Sequence, residues 1–314
     1  MSLVNPKVVG VVGAGLIGRA WAILFARAGL RVQIYDAVEH ALDAAMDEIA
    51  QLLQDMQRAD LLIESPSVVL ARIHPVASLA DACRDAVLIQ ENIRETVEAK
   101  TEVFTQLDLL ADPATVLASS TSWLPASSFT ESLPGRARCL VAHPANPPYL
   151  IPLVEVAPAP WTDEAAVGIA MELYAHIGQE PVLVRKEVHG FLLNRVQGAL
   201  LNEMLNLYED GYASADDLDK VMKFGLGLRW SFMGPFETID LNAPEGIVDY
   251  VARYGKTYTD VSRTQKDNNW NAEVIARIEA ERRVLTPADA LPSRARWRDN
   301  RLMALRQHQN TQPK

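Results

Sequence analysis

The sequence predicts an α/β fold: a Rossmann-type doubly wound sheet followed by an all-helical C-terminal domain. Three observations carry this expectation. Short β-branched runs alternate with helical patterns over the first part of the chain. A glycine-rich turn, VVGAGLIG, joins the first strand pattern to the first helix pattern. After about residue 186 the strand signals stop and long helical patterns take over. Strands separated by helices make βαβ units and therefore a parallel sheet.

Taken in order, KVVGVV (7–12) reads as a strand and GLIGRAWAILFARAG (15–29) as a helix closed by Gly29. RVQIYD (31–36) is a second strand, and 37–59 a long amphipathic helix. Strands follow near 73–76, 86–91 and 115–119, with helical segments at 78–84 and 95–110. RCLVAH, LVEVAP and PVLVRK add strands near 138–143, 153–157 and 181–185. The Pro-rich patch at 144–152 lies between two strand signals and reads as a rigid functional loop. GFLLNRVQGALLNEMLNLYEDG (190–211) is a helix ended by Gly211. SADDLDKVMKFG is a helix capped by Ser214 and ending at Gly225. The expected domains are 1–187 and 188–314.

The chain has 314 residues, of which 49% are hydrophobic, enough for a substantial core. Its net charge of −10 argues against nucleic acid or an anionic membrane surface as partner, since both need a basic face. Cys83 and Cys139 lie in no ligand spacing, so neither a disulfide framework nor a metal site is expected. The N-terminus lacks a secretory pattern, and no run reaches the eighteen or so apolar residues of a spanning helix. A soluble, cytoplasmic protein is expected.

Gly13, Gly15 and Gly18 form GxGxxG, a weak pattern alone. Here it follows a strand, opens a helix and is followed by Asp36 at the end of the second strand, the context that gives it meaning. Gly13 permits the tight turn, Gly15 lets backbone approach a pyrophosphate, and Gly18 lets the helix pack on the sheet. The backbone at Leu16 and Ile17 then offers free N–H groups at a helix N-terminus. Asp36 accepts ribose hydroxyls and repels a 2′-phosphate, so NAD is expected rather than NADP.

Hydride transfer from an alcohol needs a base for the hydroxyl proton. His143, at the end of RCLVAH, suits that task because imidazole titrates near neutral pH. Glu155 in IPLVEV could orient it, if the Pro-rich loop turns the chain back on itself. A lone strand histidine is more often structural than catalytic, and pattern alone leaves both readings open.

At these residues the chain resembles the L-3-hydroxyacyl-CoA dehydrogenase superfamily. AHPANPPYLIPLVEV resembles its HxxNPxxxxxLVEV segment, and SSTSWLPAS (119–127) its SNTSS segment. VHGFLLNR (188–195) resembles its PGFxxNR segment, and MGPFE (233–237) matches. The resemblance implies that His143 is the base and Glu155 its partner. It implies that Ser122 and Asn194 hydrogen-bond the reacting oxygen, and that Glu95 and Lys100 lie near the nicotinamide ribose. It also implies a homodimer, with the helical domain serving substrate and dimerisation.

Within that superfamily, acyl-CoA enzymes carry a basic clasp after the second strand. Here 37–70 holds Glu39, Asp43, Asp47, Glu48, Asp55, Asp60 and Glu64 against Arg58 alone, which would repel a CoA phosphate. Trp123 replaces a small residue after Ser122 and should shrink the pocket. LIGRAWAILFA, GPFETIDLN and RARWRDNRL (294–302) resemble the λ-crystallin/L-gulonate 3-dehydrogenase group. That resemblance implies a small hydroxy-acid substrate, best L-gulonate oxidised to 3-dehydro-L-gulonate. Arg229 in GLRW is the candidate for its carboxylate, or else a surface arginine packed on Trp230. The alternatives are an L-3-hydroxyacyl-CoA dehydrogenase, an L-carnitine dehydrogenase and an NAD-binding, crystallin-like structural protein.

Overall fold

The structure, a computed structural model, describes residues 7–38, 40–268 and 270–312. The chain forms two compact units. One comprises the residues through Arg195 together with those from Arg296 onward; the other is Val196–Ala295. The sequence reading sets the domains at 1–187 and 188–314; the compact units divide at Arg195/Val196, and the tail from Arg296 groups with the first unit.

In chain order the first unit carries β1 (Val8–Val12), α1 (Leu16–Arg27), β2 (Arg31–Tyr35), α2 (Ala41–Arg58), α3 (Pro66–Leu70) and β3 (Ile73–Pro75). There follow α4 (Leu79–Cys83), β4 (Ala86–Glu91), α5 (Val97–Leu110), β5 (Val116–Ser119) and α6 (Ser127–Thr130). β6 (Cys139–Pro144), β7 (Leu153–Pro158), α7 (Glu164–His176) and β8 (Glu180–Leu183) complete the sheet. The strand order is β3-β2-β1-β4-β5-β6-β7-β8, parallel except where β6 meets β7. Chain order reverses between β1 and β4, the crevice where a doubly wound sheet takes its ligand.

Successive strand residues face opposite sides, and both sides are covered. Leu88, Val116, Ala118, Leu140 and Ala142 join one core with Trp21, Phe25, Ile49, Leu53 and Tyr174 from α1, α2 and α7. Ile89, Leu117, Cys139 and Val141 join another with Phe104, Leu107 and Phe129 from α5 and α6. Because both faces are buried, the strands read as continuous apolar runs rather than alternating ones.

Helix α7 is absent from the sequence reading. Its apolar positions Ala166, Ala170, Leu173 and Tyr174 are buried on a helical stripe and Gly178 follows at φ +80°, so the signal was present. Helix α3 was missed as well; it is a five-residue piece with Pro66 in its first turn.

The second unit takes most of α8 (Leu193–Glu209), then α9 (Ala215–Lys220), α10 (Gly227–Trp230), α11 (Pro235–Leu241), α12 (Ile247–Ser262) and α13 (Ala272–Leu285). Helix α14 (Leu291–Asn310) leads back to the first unit, where Met303 is buried in its core. Ser214 caps α9 as expected, accepting from the Asp217 amide at 3.2 Å. The helix does not end at Gly225. It widens into a π-helical stretch, Val221–Leu226, and runs on into α10. A Cβ on Gly227 would lie 2.8 Å from the Met222 carbonyl oxygen, so a side chain there would obstruct the widened turn.

Candidate active site

The turn after β1 is built by close backbone contacts. Gly13 has φ +91°, its amide donates to the Tyr35 carbonyl at 2.8 Å, and a Cβ on it would lie 2.8 Å from the Asn92 carbonyl oxygen. Gly18 is needed for a different contact from the expected one: a Cβ there would collide with the Gly13 carbonyl, so it is the turn, not the sheet, that demands glycine. Gly15 has nothing within 4 Å of its missing Cβ, which leaves the backbone open to a ligand. It caps α1 without a side-chain hydrogen bond, so the first turn, Leu16 and Ile17 included, presents its amides as an anion site. Asp36 turns its carboxylate into this cradle. Oδ2 accepts from the Ala14 amide at 2.7 Å and Oδ1 from the Val38 amide at 2.9 Å, and each oxygen keeps a lone pair for a ribose hydroxyl. These residues fit a dinucleotide.

His143 and Glu155 face each other directly across the antiparallel β6/β7 pair. Nδ1 lies 2.8 Å from Glu155 Oε2, with the residues 5% and 1% exposed. A carboxylate only accepts, so Nδ1 carries the proton and Nε2 keeps its lone pair. The other oxygen, Oε1, accepts from the Leu192 and Leu193 amides at 2.7 and 2.9 Å, which sit at the start of α8. Glu155 thus ties His143 to a helix N-terminus, where negative charge is favoured. Phe191, fully buried with φ +48°, lies with its ring 5.5 Å from the imidazole. Sequence reasoning passed over Phe191; its neighbours in GFLLNR were the only signal for it.

The segment carrying Ser122 is held from beneath by Glu95. One carboxylate oxygen, Oε1, accepts from the Ser122 amide at 3.1 Å, from the Trp123 amide at 3.2 Å, and from the Thr121 hydroxyl. Asn194 Nδ2 donates to the Ser122 carbonyl at 2.8 Å, so the expected oxygen-binding pair is joined through its own backbone. Trp123 is half exposed and packs on Gly190, where a Cβ would lie 3.1 Å from its ring. Gly190 has φ +77°, so both space and backbone require glycine.

Lys100 is not brought to this cluster. It is 1% exposed, and its Nζ lies 3.0 Å from both oxygens of the buried Glu91 carboxylate. Glu91 also accepts from the Ser119 hydroxyl and the Ile93 amide, each at 2.5 Å. The pair is internal because two opposite charges bury together at far lower cost than either alone. The resemblance groups Lys100 with Glu95; the acid that holds its ammonium is Glu91 on β4.

The model of the 3-hydroxyacyl-CoA dehydrogenase NAD-binding domain matches residues 8–188, and that of its C-terminal domain residues 190–274. The chain belongs to the 3-hydroxyacyl-CoA dehydrogenase family. It is an NAD-dependent oxidoreductase. Rabbit (Oryctolagus cuniculus) λ-crystallin is 40% identical over 300 residues, covering 94% of each chain. A 3-hydroxyacyl-CoA dehydrogenase of Gibberella moniliformis is 40% identical over 256 residues, 79% of this chain and 77% of its own. The solved structure of 5-formyl-3-hydroxy-2-methylpyridine 4-carboxylic acid 5-dehydrogenase superposes with a TM-score of 0.85 over 98% of this chain and all of that one, at 24% identity, a likeness of fold.

The acidic stretch after β2 is less negative than its count suggests. Asp55 pairs with Arg58, Glu64 with Arg72 at 2.5 Å, and Glu48 lies 3.8 Å from Arg19. The Arg72 hydrogen bond holds the Glu64 carboxyl below the usual range. Glu39 lies outside the described residues. Arg229 belongs to the second unit, on α10; its Nε is buried without a hydrogen-bond partner among the described residues. Those residues contain no cluster of three His, Cys, Asp or Glu side chains placed to hold a metal, and no helix long and apolar enough to cross a membrane.

Proposed function

We propose that this dehydrogenase oxidises the 3-hydroxyl of a small L-3-hydroxy acid, best L-gulonate, with His143 as base. The observation that carries the reading is the His143–Glu155 pair, whose geometry leaves Nε2 as the only basic nitrogen. NAD, when bound, supplies the hydride acceptor. Nε2 takes the hydroxyl proton, and Glu155 stabilises the imidazolium that results while keeping the ring fixed. Ser122 and Asn194 hold the reacting oxygen; the 2.8 Å bond from Asn194 Nδ2 to the Ser122 carbonyl ties their two segments together. Glu95 serves them by fixing the 121–123 backbone.

Arg229 is assigned to the substrate carboxylate, supported by its unpartnered Nε. The λ-crystallin relative and the remaining acids at 43, 47 and 60 favour a free hydroxy acid over an acyl-CoA. Initial rates of NAD reduction with L-gulonate, L-carnitine and 3-hydroxybutyryl-CoA test the assignment. Gulonate should give the highest kcat/KM; preference for the thioester would refute it, and turnover of none would favour a structural protein.

A second copy of the chain is assigned to the helical unit. Leu205, Leu218 and Val274 are its only buried apolar side chains among the described residues, while Phe232, Phe236 and Val248 are more than 70% exposed. So thin a core with so much bare apolar surface calls for a partner face. Sedimentation as a monomer at micromolar concentration would contradict this.

A further inference from the structure

Away from the His143–Glu155 pair, the first unit holds a partly open cavity of about 180 Å³. Its walls come from the end of α1 (Arg27), the 148–152 stretch of the loop joining His143 to Glu155, the turn before β8 (Gln179) and the C-terminal helix α14 (Arg306). Its charge pattern is unusual. Arg27 and Arg306 lie close enough to repel, and neither pairs with a carboxylate among the described residues. The groups they do meet are neutral: Arg27 Nη1 donates to the Tyr149 carbonyl at 3.3 Å, and Arg306 Nη1 to Gln309 Oε1 at 3.3 Å. Burial first, and Arg306 second, bring the Arg27 guanidinium down to about 10, so it stays charged at neutral pH. Two cations turned toward one small cavity are costly unless an anion joins them.

Gln179 adds a second requirement. It is 3% exposed and lines the same cavity. Its Nε2 donates to the Pro148 carbonyl at 3.3 Å, which fixes which way the amide points. Its Oε1 is buried and has no partner among the described residues. An oxygen acceptor needs a donor. The walls therefore ask for negative charge and for one O–H at the same time.

We propose that this cavity is a binding site for a small oxyanion that still carries a hydroxyl, of the inorganic phosphate class. Arg27 and Arg306 hold its charged oxygens, and Gln179 Oε1 accepts from its P–OH. The ion bridges α14 to the loop between the two catalytic residues, and so stiffens that loop from outside the active site. Sulfate has the same shape and charge range but no proton at neutral pH, and lacks the donor Gln179 needs.

The test uses the full-length protein with saturating NAD, so that the pyrophosphate cradle at α1 is filled. Phosphate and sulfate are compared at matched ionic strength by thermal unfolding and by amide hydrogen exchange, since a ligand that binds only the folded state raises Tm. Phosphate should raise Tm more than sulfate and slow exchange in 147–152 and 303–310. Arg306→Gln should weaken phosphate by about tenfold or more, the loss of one hydrogen bond to a charged group. Gln179→Leu should still bind but no longer distinguish the two ions, which keeps the question decidable if Arg306→Gln folds poorly. Equal responses of the wild type and Arg306→Gln, protection confined to residues 13–18, or equal wild-type responses to both ions would each overturn the proposal.

Discussion

Replacing Glu155 by glutamine changes one atom and should nearly abolish turnover. In the native site Oε1 accepts from two backbone amides and Oε2 accepts from His143 Nδ1. A glutamine has one oxygen and one NH2 to distribute over those partners. The Leu192 and Leu193 amides can only donate, so they take the oxygen and leave the NH2 facing Nδ1. That nitrogen must then accept, which moves the ring proton to Nε2 and removes the lone pair that takes the substrate proton. The opposite rotamer restores the tautomer but leaves two buried N–H groups unpaired, at about 1–3 kcal/mol each. The productive form is thus disfavoured by roughly 2–6 kcal/mol, or roughly 1.5 to 4 powers of ten in kcat at 1.4 kcal/mol per decade. Absorbance of NADH at saturating hydroxy acid measures kcat, and nitrogen NMR of the imidazole reports the tautomer. KM for NAD should barely move. His143→Ala should abolish most activity, and adding Glu155→Gln to it should cost little more, because residues acting as a unit are not additive. A glutamine variant within fivefold of wild type, or one whose Nδ1 still bears the proton, would refute this account.

Asp36→Ala should erase much of the preference for NAD over NADP; comparing kcat/KM for both cofactors decides, and an unchanged ratio rejects Asp36 as the discriminator. Gly18→Ala forces a Cβ into the Gly13 carbonyl and should cost about 1–3 kcal/mol with a weakened Kd for NAD, read by calorimetry. Arg229→Met should raise KM for the hydroxy acid and spare NAD affinity, with a loss on the order of 2–5 kcal/mol for a desolvated pair; an unaltered KM returns Arg229 to a structural role. Burial raises the Cys83 thiol to about 11 and the Cys139 thiol to about 12 from an ordinary 9.0. The folded state then holds protons that the unfolded chain releases above pH 9, so these thiols favour folding below that pH, and their contribution falls away as pH climbs toward 11–12. Neither should react with a thiol reagent in the native protein at pH 8, and rapid labelling there would contradict their burial.

Local patterns made the sheet and the nucleotide turn legible, because a βαβ unit is specified by neighbours in sequence. The His143–Glu155 pair was legible because an antiparallel return over a short loop places both residues opposite each other. What stayed hidden depends on partners far apart in the chain. Nothing near Lys100 in the sequence pointed to Glu91 on β4 as its partner, and Gly18 looked like a sheet contact until the turn closed on it. The run past Gly225 was misread because a glycine signals an end only when the helix is regular, and here it lies within a π-helical stretch. Helix α7 was missed between two strong strand signals that drew the reading toward sheet.

The return of α14 to the first unit has a bearing on synthesis. The helical unit is, topologically, an insertion into the nucleotide-binding one, since residues 196–295 separate its two contributing segments. Met303 is part of the core that holds Trp21 and Tyr174. A chain emerging at roughly 5–20 residues per second can assemble β1 to β8 early, but the core position of Met303 is filled only after the segment beyond 295 has left the ribosome. For several seconds, while residues 196–295 are being made, the place that Met303 takes in that core therefore stays unfilled. A truncation that removes Met303 should therefore leave that core incomplete from synthesis onward, even though the missing residue lies more than a hundred positions from the other buried residues of that core.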